Sequence, residues 1–93
     1  GGSKLKVLEA MAAGLPVVTT AQGASGLQVT DGVHYAQAES AQAFIANIIG
    51  LLEDPQRSKA LGEAGRSYVQ AKHDWSTAAR SLEDIYSRLG GHG

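Results

Sequence analysis

A short apolar run, Pro16-Val17-Val18-Thr19, limits the folds that are open to this chain. Valine favours extended backbone, so the run is predicted to form a strand. Its residues do not alternate between apolar and polar, which is typical of a strand that is covered on both faces. Strands of that kind belong to parallel sheets with helical crossovers, and the run therefore indicates an α/β protein.

The segment before the strand is predicted to be a helix over residues 4–13, with Ser3 as N-cap and Gly14 at the C′ position. At about 100° per residue, the helix has an apolar arc made of Leu5, Leu8, Met11 and Ala12, with Val7 at its edge. Glu9 falls at the rim of this arc. A carboxylate in that position is either a surface partner of Lys6 or a binding group.

After the strand, a loop of small residues is predicted over residues 20–26. Two candidate short strands follow at 27–29 and 33–36, joined by a turn at Asp31-Gly32. A strand's carboxyl end is where α/β proteins usually bind ligands, so the loop either leaves room for one or is only a tight turn.

The rest of the chain is predicted to be three helices. The first covers residues 41–53 with Ser40 as N-cap, and the second covers residues 55–71 with Asp54 as N-cap. A joint at residues 73–75 precedes the last helix, from Ser76 to about residue 89. The predicted inward-facing residues of these helices are Phe44, Ile45, Ile48, Ile49, Leu51 and Leu52, then Leu61, Ala64, Gly65, Tyr68 and Val69, then Leu82, Ile85, Tyr86 and Leu89.

Composition excludes several classes of function. The 93 residues include eight basic and nine acidic side chains, a balance that gives no basic surface for nucleic acid or an anionic membrane. The chain has no cysteine, so it has no disulfide or thiolate metal site, and its three histidines lack metal-ligand spacing. No apolar run approaches the roughly 20 residues of a spanning helix. These features fit a cytoplasmic location.

The order of elements matches the latter half of a doubly wound α/β domain, rich in helix and with a short parallel sheet. Two short parallel strands cannot cover themselves. We therefore expect either a preceding portion that supplies the rest of the sheet, or a second copy of the chain that covers the exposed sheet edge.

Several motifs occur together in the order of a known family: LEAMAAGLPVV at residues 8–18, LLEDP at 51–55 and LGEAGRSYV at 61–69. With them, the chain from about Gly2 to Tyr86 resembles the C-terminal region of GT-B, family 4-type (group 1) retaining glycosyltransferases. The resemblance implies a partial C-terminal, Rossmann-like nucleotide-sugar-binding domain over residues 1–93. The predicted elements make about 4–89 the structured part, and the glycines at the end of the chain predict a flexible tail at 90–93. It also implies an N-terminal acceptor domain outside this sequence.

The resemblance implies a site at the start of the first helix. The family has two glutamates with seven residues between them; the second corresponds to Glu9, which would accept hydrogen bonds from the nucleotide's ribose hydroxyls. The first would fall at Gly1, which is a departure from the pattern. The segment of Gly2, Ser3, Lys4 and Leu5 would meet the diphosphate and the donor sugar. Catalytic acid and base groups would lie upstream of Gly1.

The implied reaction is transfer of a sugar from a nucleotide-diphosphate donor to an acceptor, with retention of configuration. No cofactor and no metal is expected beyond that donor, and the isolated chain is expected to be inactive. The parent enzyme would serve bacterial polysaccharide biosynthesis in the cytoplasm, at the inner membrane through its acceptor domain. Two alternatives stay open: a non-catalytic domain that self-associates through its sheet edge, and a small nucleotide-binding module.

Overall fold

A computed structural model describes the backbone of residues 2–88 and the side chains of residues 4–74 and 80. Its elements in chain order are α1 (Gly2–Ala12), β1 (Val18–Thr19), β2 (Ala36–Gln37), α2 (Ala41–Glu53) and α3 (Pro55–Arg88). The predicted class, a helix-rich α/β structure with a short parallel sheet, is confirmed. The predicted tail at 90–93 lies outside the described residues.

The two strands pair in parallel, with Val18 opposite Ala36 and Thr19 opposite Gln37. The Ala36 N–H donates to the Val17 carbonyl at 2.8 Å, and the register continues at the next pair. Strand β1 lies inside the predicted run of 16–19, and β2 begins at the end of the predicted strand 33–36.

The predicted strand at 27–29 is wrong, because residues 28–30 have no regular structure, and the predicted strand at 33–36 is confirmed only at Ala36, because residues 32–34 form a turn. The Thr30 carbonyl accepts hydrogen bonds from two successive backbone amides, and the Gly32 N–H donates to the Tyr35 carbonyl at 2.7 Å. Gly32 has a φ of 85°, which favours glycine. The turn that is predicted at Asp31-Gly32 extends to His34, and it shortens the strand that is predicted at 33–36.

The predicted run of 16–19 is covered on both faces, as its lack of alternation predicts; Val17 lies just before β1 and Val18 lies in it. Successive strand side chains point to opposite faces, so Val17 and Val18 enter different clusters. The cluster on the α1 side contains Val7, Met11, Val17, Ala24 and Tyr35. The cluster on the α2 side contains Ala36, Leu51 and Leu61, with Val18 packed against it.

Helix α1 begins at Gly2, so Ser3 lies inside it and the prediction of Ser3 as N-cap is wrong. The predicted apolar arc is also rotated by about a quarter turn. Val7 and Met11 are buried, whereas Leu5 is 60% exposed and Ala12 is exposed. The helix is apolar on most sides, so periodicity alone could not select the side that faces the core.

The predicted end of α1 is confirmed. Gly14 has a φ of 75°. Its N–H donates to the Met11 carbonyl at 2.9 Å, and the Leu15 N–H donates to the Ala10 carbonyl at 3.1 Å. These two bonds form a Schellman motif, which needs the left-handed residue that glycine supplies.

Helix α2 starts as predicted, because the Ser40 hydroxyl accepts a hydrogen bond from the Ala43 N–H at 3.1 Å. Its predicted inward face is largely wrong. Leu51 is buried and Phe44 half-buried, but four residues are 46% to 77% exposed: Ile45, Ile48, Ile49 and Leu52. The helix is apolar on two sides, and the described residues provide a partner for only one.

Helix α3 is a single helix, so the predicted joint at 73–75 and the Ser76 cap are wrong. The segment contains neither glycine nor proline, so nothing in it interrupts the helical hydrogen bonds. Its start is as predicted, with the Asp54 carboxylate accepting from the Arg57 N–H at 3.1 Å. Leu61 and Gly65 are buried as predicted. The predicted inward side chains after residue 80 lie outside the described residues.

Candidate functional site

The first turn of α1 brings four of the predicted site residues together: Gly2, Ser3, Lys4 and Leu5. The first four N–H groups of a helix have no intrahelical acceptor, and the helix dipole places partial positive charge there. Such an end can bind a phosphate. The described part of α1 therefore offers amides, and the Lys4 ammonium group, at one place.

Lys4 links this turn to the loop that follows β1. Its Nζ atom lies 3.0 Å from the position that a Cβ atom at Gly26 would occupy, and Gly26 has a φ of 83°. The loop needs glycine here for its left-handed backbone conformation, and the Lys4 ammonium group lies beside it. The amino end of α1 consequently lies beside the loop that leaves the carboxyl end of a parallel strand, where α/β proteins bind ligands.

Glu9 is exposed, and its carboxylate has no hydrogen bond or ion pair with any residue that the structure describes. The alternative of a pair with Lys6 is therefore not formed. The predicted location at the rim of the buried stripe is wrong, because Glu9 lies opposite the side of α1 that contains Val7 and Met11. Its carboxylate is available to a ligand.

Glu9 shares a face of α1 with two other predicted site residues. Residues seven apart on a helix differ by only about 20° in direction, so Gly2 lies above Glu9 on the same face. Leu5 lies between them and is 60% exposed. The structure therefore aligns a carboxylate, an exposed apolar side chain and the helix amino end, whereas Lys4 projects toward Gly26 on another side.

The loop after β1 is held in place by hydrogen bonds. The Thr20 hydroxyl accepts from the Gly23 N–H at 2.9 Å, and the Glu39 carboxylate accepts from the Ala21 N–H at 3.0 Å. A Cβ atom at Gly23 would collide with the Thr19 hydroxyl. Sequence reasoning identified the small-residue loop but not Glu39, whose position just after a parallel strand was the available signal.

Glu39 also belongs to a polar network at the carboxyl end of β2. The Tyr35 hydroxyl donates to Gln37 Oε1 at 2.7 Å, and Gln37 Nε2 donates to Glu39 Oε2 at 3.1 Å. Asp31 accepts from the Gln37 N–H at 2.8 Å. Burial raises the pKa of Tyr35, and the negative charges of Asp31 and Glu39 raise it further. The network holds the loop and the strand end together.

A groove of about 620 Å³ lies between α3 and the chain that leaves the loop. It is lined by Gly26, Gln28, Tyr68, Ala71 and Lys72. The Tyr68 hydroxyl accepts from the Gln28 N–H at 3.1 Å, and the Lys72 ammonium lies 6.0 Å from the centre of the Tyr68 ring. We refer to this feature as the α3 groove; sequence reasoning did not identify it.

The residues that the structure describes hold no group of three or more histidine, aspartate or glutamate side chains that could bind a metal ion. His34 is occupied otherwise, since its Nδ1 accepts from the Thr30 N–H at 3.0 Å and its ring packs edge-on against Tyr68. None of the helices in the described part of the chain is long and apolar enough to cross a membrane.

Comparison with known proteins gives consistent matches. A family model described as glycosyl transferases group 1 matches residues 1–54. The chain is 38% identical over 88 residues to a D-inositol 3-phosphate glycosyltransferase of Corynebacterium aurimucosum, covering 89% of this chain and 20% of that protein. No solved structure matches the chain.

Two mannosyltransferases are similar to the same region. The chain is 32% identical to the GDP-mannose-dependent monoacylated alpha-(1-6)-phosphatidylinositol monomannoside mannosyltransferase of Corynebacterium glutamicum, over 90% of this chain and 22% of that protein. It is also 32% identical to the GDP-mannose-dependent alpha-(1-6)-phosphatidylinositol monomannoside mannosyltransferase of Mycolicibacterium smegmatis, over 92% of this chain and 23% of that protein. The chain spans about a fifth of the length of these relatives. It belongs to the group 1 glycosyltransferases, and its helices and parallel strands are part of the GT-B α/β fold of that family.

Proposed function

We propose that this chain is part of the donor-binding domain of an enzyme that transfers a sugar from a nucleotide-diphosphate sugar to an acceptor, with retention of configuration. In this proposal the segment of Gly2, Ser3, Lys4 and Leu5 meets the diphosphate and donor sugar, and Glu9 binds the ribose. The names of the relatives support the reaction class, since two of them are GDP-mannose-dependent mannosyltransferases. The predicted cytoplasmic location at the inner membrane stays a prediction.

The observation that carries the proposal is the unpaired Glu9 carboxylate, which shares a helix face with the amino end of α1. A ribose presents two adjacent hydroxyl donors, and a carboxylate presents two acceptor oxygens. Four residues of helix separate Leu5 from Glu9, a rise of about 6 Å. A ribose with its attached phosphate can span that separation, so one ligand can contact both the first turn of α1 and the Glu9 carboxylate.

The amino end of α1 has a role in the reaction itself under this proposal. As the sugar leaves, negative charge accumulates on the departing diphosphate, and fixed amide dipoles with the Lys4 ammonium would stabilise it. This stabilisation does not require a metal ion. Glu9 would position the donor and would not transfer a proton, so the acid and base groups would belong to parts of the enzyme outside this chain.

The test is calorimetric titration of the chain with GDP, which we choose because two relatives are named for a GDP-linked donor. Glu9→Gln should weaken binding about tenfold, since it exchanges a charge-assisted hydrogen bond of about 1.5–3 kcal/mol for a neutral one of about 0.5–1.5 kcal/mol. Glu53→Gln is the matched control, because Glu53 is an exposed carboxylate at the end of a different helix. Circular dichroism checks that both variants fold.

A 2′,3′-dideoxy analogue of the nucleotide makes the test specific for ribose. If Glu9 binds the hydroxyls, the analogue should bind the native chain and Glu9→Gln equally weakly, because the contact is already lost. Equal binding of GDP by Glu9→Gln and Glu53→Gln would contradict the proposal.

A second candidate function is self-association, and the exposed face of α2 favours it. Ile45, Ile48, Ile49 and Leu52 form an apolar stripe at helical spacing, more than a small monomeric domain usually leaves uncovered. This candidate, like association through the free edge of β1, predicts a mass that rises with concentration in sedimentation experiments. Ile48→Gln should abolish α2-mediated association, and Ala46→Gln, which is also exposed but lies outside the stripe, should not. A constant monomer mass would exclude both modes.

A further inference from the structure

We propose that the α3 groove binds a phosphate group between the ammonium groups of Lys4 and Lys72. The proposal shares Lys4 with the proposed function and goes beyond it, because it assigns a binding role to α3 and to the groove lined by Tyr68 and Lys72. The groove proposal can be wrong while Glu9 still binds the ribose, and Glu9 can lack that role while the groove still binds phosphate; the experiments below distinguish the two cases.

Two lysines from different helices lie near Gly26, one lining the groove and one approaching Gly26. Gly26 is the residue that connects them: Lys4 Nζ lies 3.0 Å from its Cβ position, and Gly26 lines the groove together with Lys72. Neither lysine forms an ion pair with a carboxylate in the described part of the chain. Lys72 therefore lines the groove and Lys4 lies next to Gly26 at its border, and neither charge is compensated by a carboxylate of the described residues.

The groove contains a third donor. The Tyr68 hydroxyl oxygen accepts from the Gln28 N–H at 3.1 Å, and its own hydrogen has no acceptor among the residues described. A hydroxyl has one hydrogen to donate besides its acceptor lone pairs, so this hydrogen remains available. His34 packs against the same ring with 5.8 Å between ring centres and helps to fix the orientation of Tyr68.

The lining of the groove favours an anion over other ligands. None of the described residues that line it carries a carboxylate, while the Lys72 ammonium and the Tyr68 phenol line it and Lys4 approaches Gly26 beside them. A phosphate group offers acceptor oxygens to all three donors and offsets the repulsion between the lysines. A volume of about 620 Å³ admits a phosphate with an attached organic group.

A phosphate could come from two sources, the diphosphate of a nucleotide donor or the phosphate of a phosphorylated acceptor. Both sources present the same phosphate oxygens to the donors of the groove. The sources differ in competition: a donor diphosphate would exclude other phosphates from the groove, whereas an acceptor phosphate would bind together with a nucleotide.

The test is calorimetric titration of the chain with inorganic diphosphate at low salt. Lys72→Gln should weaken binding about five- to tenfold. The free energy of an exposed charge contact that includes a hydrogen bond is intermediate between that of a surface ion pair and that of a buried one. Lys59→Gln is the matched control, because Lys59 lies on the same helix and is 4.0 Å from Glu63 in a surface pair. Tyr68→Phe removes only the hydroxyl and should weaken binding about threefold.

Amide chemical shifts locate the bound anion. Inorganic diphosphate should move the Gly26 and Gln28 amide signals in the native chain, and Lys72→Gln should reduce those changes. Equal affinities for Lys72→Gln and Lys59→Gln, or binding that leaves the Gly26 and Gln28 signals unmoved, would overturn the proposal.

Two further titrations distinguish the sources and the two proposals. If GDP displaces glycerol phosphate from the groove, the phosphate belongs to the donor; if both bind at once, it belongs to a second substrate. Glu9→Gln should leave the affinity for inorganic diphosphate unchanged, because that ligand has no ribose. If Lys72→Gln weakens diphosphate binding but Glu9→Gln does not weaken GDP binding, the groove proposal stands and the ribose assignment is wrong. If Glu9→Gln weakens GDP binding but Lys72→Gln does not weaken diphosphate binding, the ribose assignment stands and the groove proposal is wrong.

Discussion

Helix α1 reaches its position through a close approach to α3, and one substitution tests that contact. Gly62 of α3 lies against the Schellman turn, where an added Cβ atom would collide with the Gly14 carbonyl oxygen. The same Cβ atom would be 3.0 Å from the Gly14 carbonyl carbon and 3.5 Å from the Leu15 carbonyl carbon. These are backbone atoms, which cannot rotate away, so Gly62→Ala should push the two helices apart.

The expected size follows from two opposing effects. Alanine in place of glycine stabilises a helix interior by about 1 kcal/mol. Overpacking costs typically about 1–3 kcal/mol, and we take the upper end because α1 must move as a unit and Met11, with 0% exposure, would lose packing. The net result is a loss of about 2 kcal/mol, which lowers the Tm of a domain this size by about 8–16 °C.

Gly50→Ala is the matched control in another helix. The nearest atom to a Cβ at Gly50 is Arg57 Nη1 at 3.6 Å, an ordinary contact with the far end of a flexible side chain. This variant should keep the helix-propensity gain and become more stable by up to about 1 kcal/mol. Urea and thermal unfolding followed by circular dichroism measure both variants. A Gly62→Ala chain as stable as Gly50→Ala would refute the close approach of α1 and α3.

Three further substitutions test the core, a cap and the polar network. Met11→Ala should lower the free energy of unfolding by about 2–5 kcal/mol, because it leaves a cavity between α1, Val17 and α3; a loss below about 1 kcal/mol in urea unfolding would argue against a buried Met11. Asp54→Ala should cost about 1 kcal/mol in the same assay by removing the acceptor for the Arg57 N–H, and an unchanged midpoint would contradict the cap. Tyr35→Phe should cost about 0.5–1.5 kcal/mol by removing the bond to Gln37. Because the pKa of Tyr35 is raised in the folded state, the tyrosine ionises first in the unfolded chain, and the stability of the native chain should fall as pH rises above about 10. Tyr35→Phe should lack that decline, and an equal decline in this variant would contradict the buried environment of Tyr35.

Local signals in the sequence predicted the boundaries that depend on single residues. Ser40 and Asp54 cap their helices because their side-chain oxygens reach a free amide three residues later. Gly14 ends α1 because it adopts the left-handed conformation. The apolar run before Thr20 predicted a strand covered on both faces, and the two clusters around Val17 and Val18 confirm it.

Features that depend on long-range packing could not be predicted in the same way. Helices α1 and α2 are apolar on more than one side, so the buried side is chosen by the neighbours that the fold supplies. This accounts for the exposure of Leu5 and Ile45, which sequence periodicity placed inside. The length of α3 was underestimated because polar residues at 73–74 resemble a loop, although they contain no helix breaker.

The candidate site was predictable only in part. The motif around Glu9 identified the helix and the carboxylate, and the structure adds that the carboxylate is exposed and unpaired within the described residues. The α3 groove could not be predicted, because Gly26 and Lys72 are far apart in the chain and line one groove only through the packing of α3 beside the loop.

The central claim is that one nucleotide spans the amino end of α1 and Glu9. Transfer of magnetisation between bound GDP and the isotope-labelled chain tests it most directly. We predict contacts from the ribose protons to the exposed Leu5 methyl groups, together with saturable shifts of the amide signals of residues 3–6. Ribose contacts confined to α2, or saturable binding that leaves the α1 signals unchanged, would contradict the account.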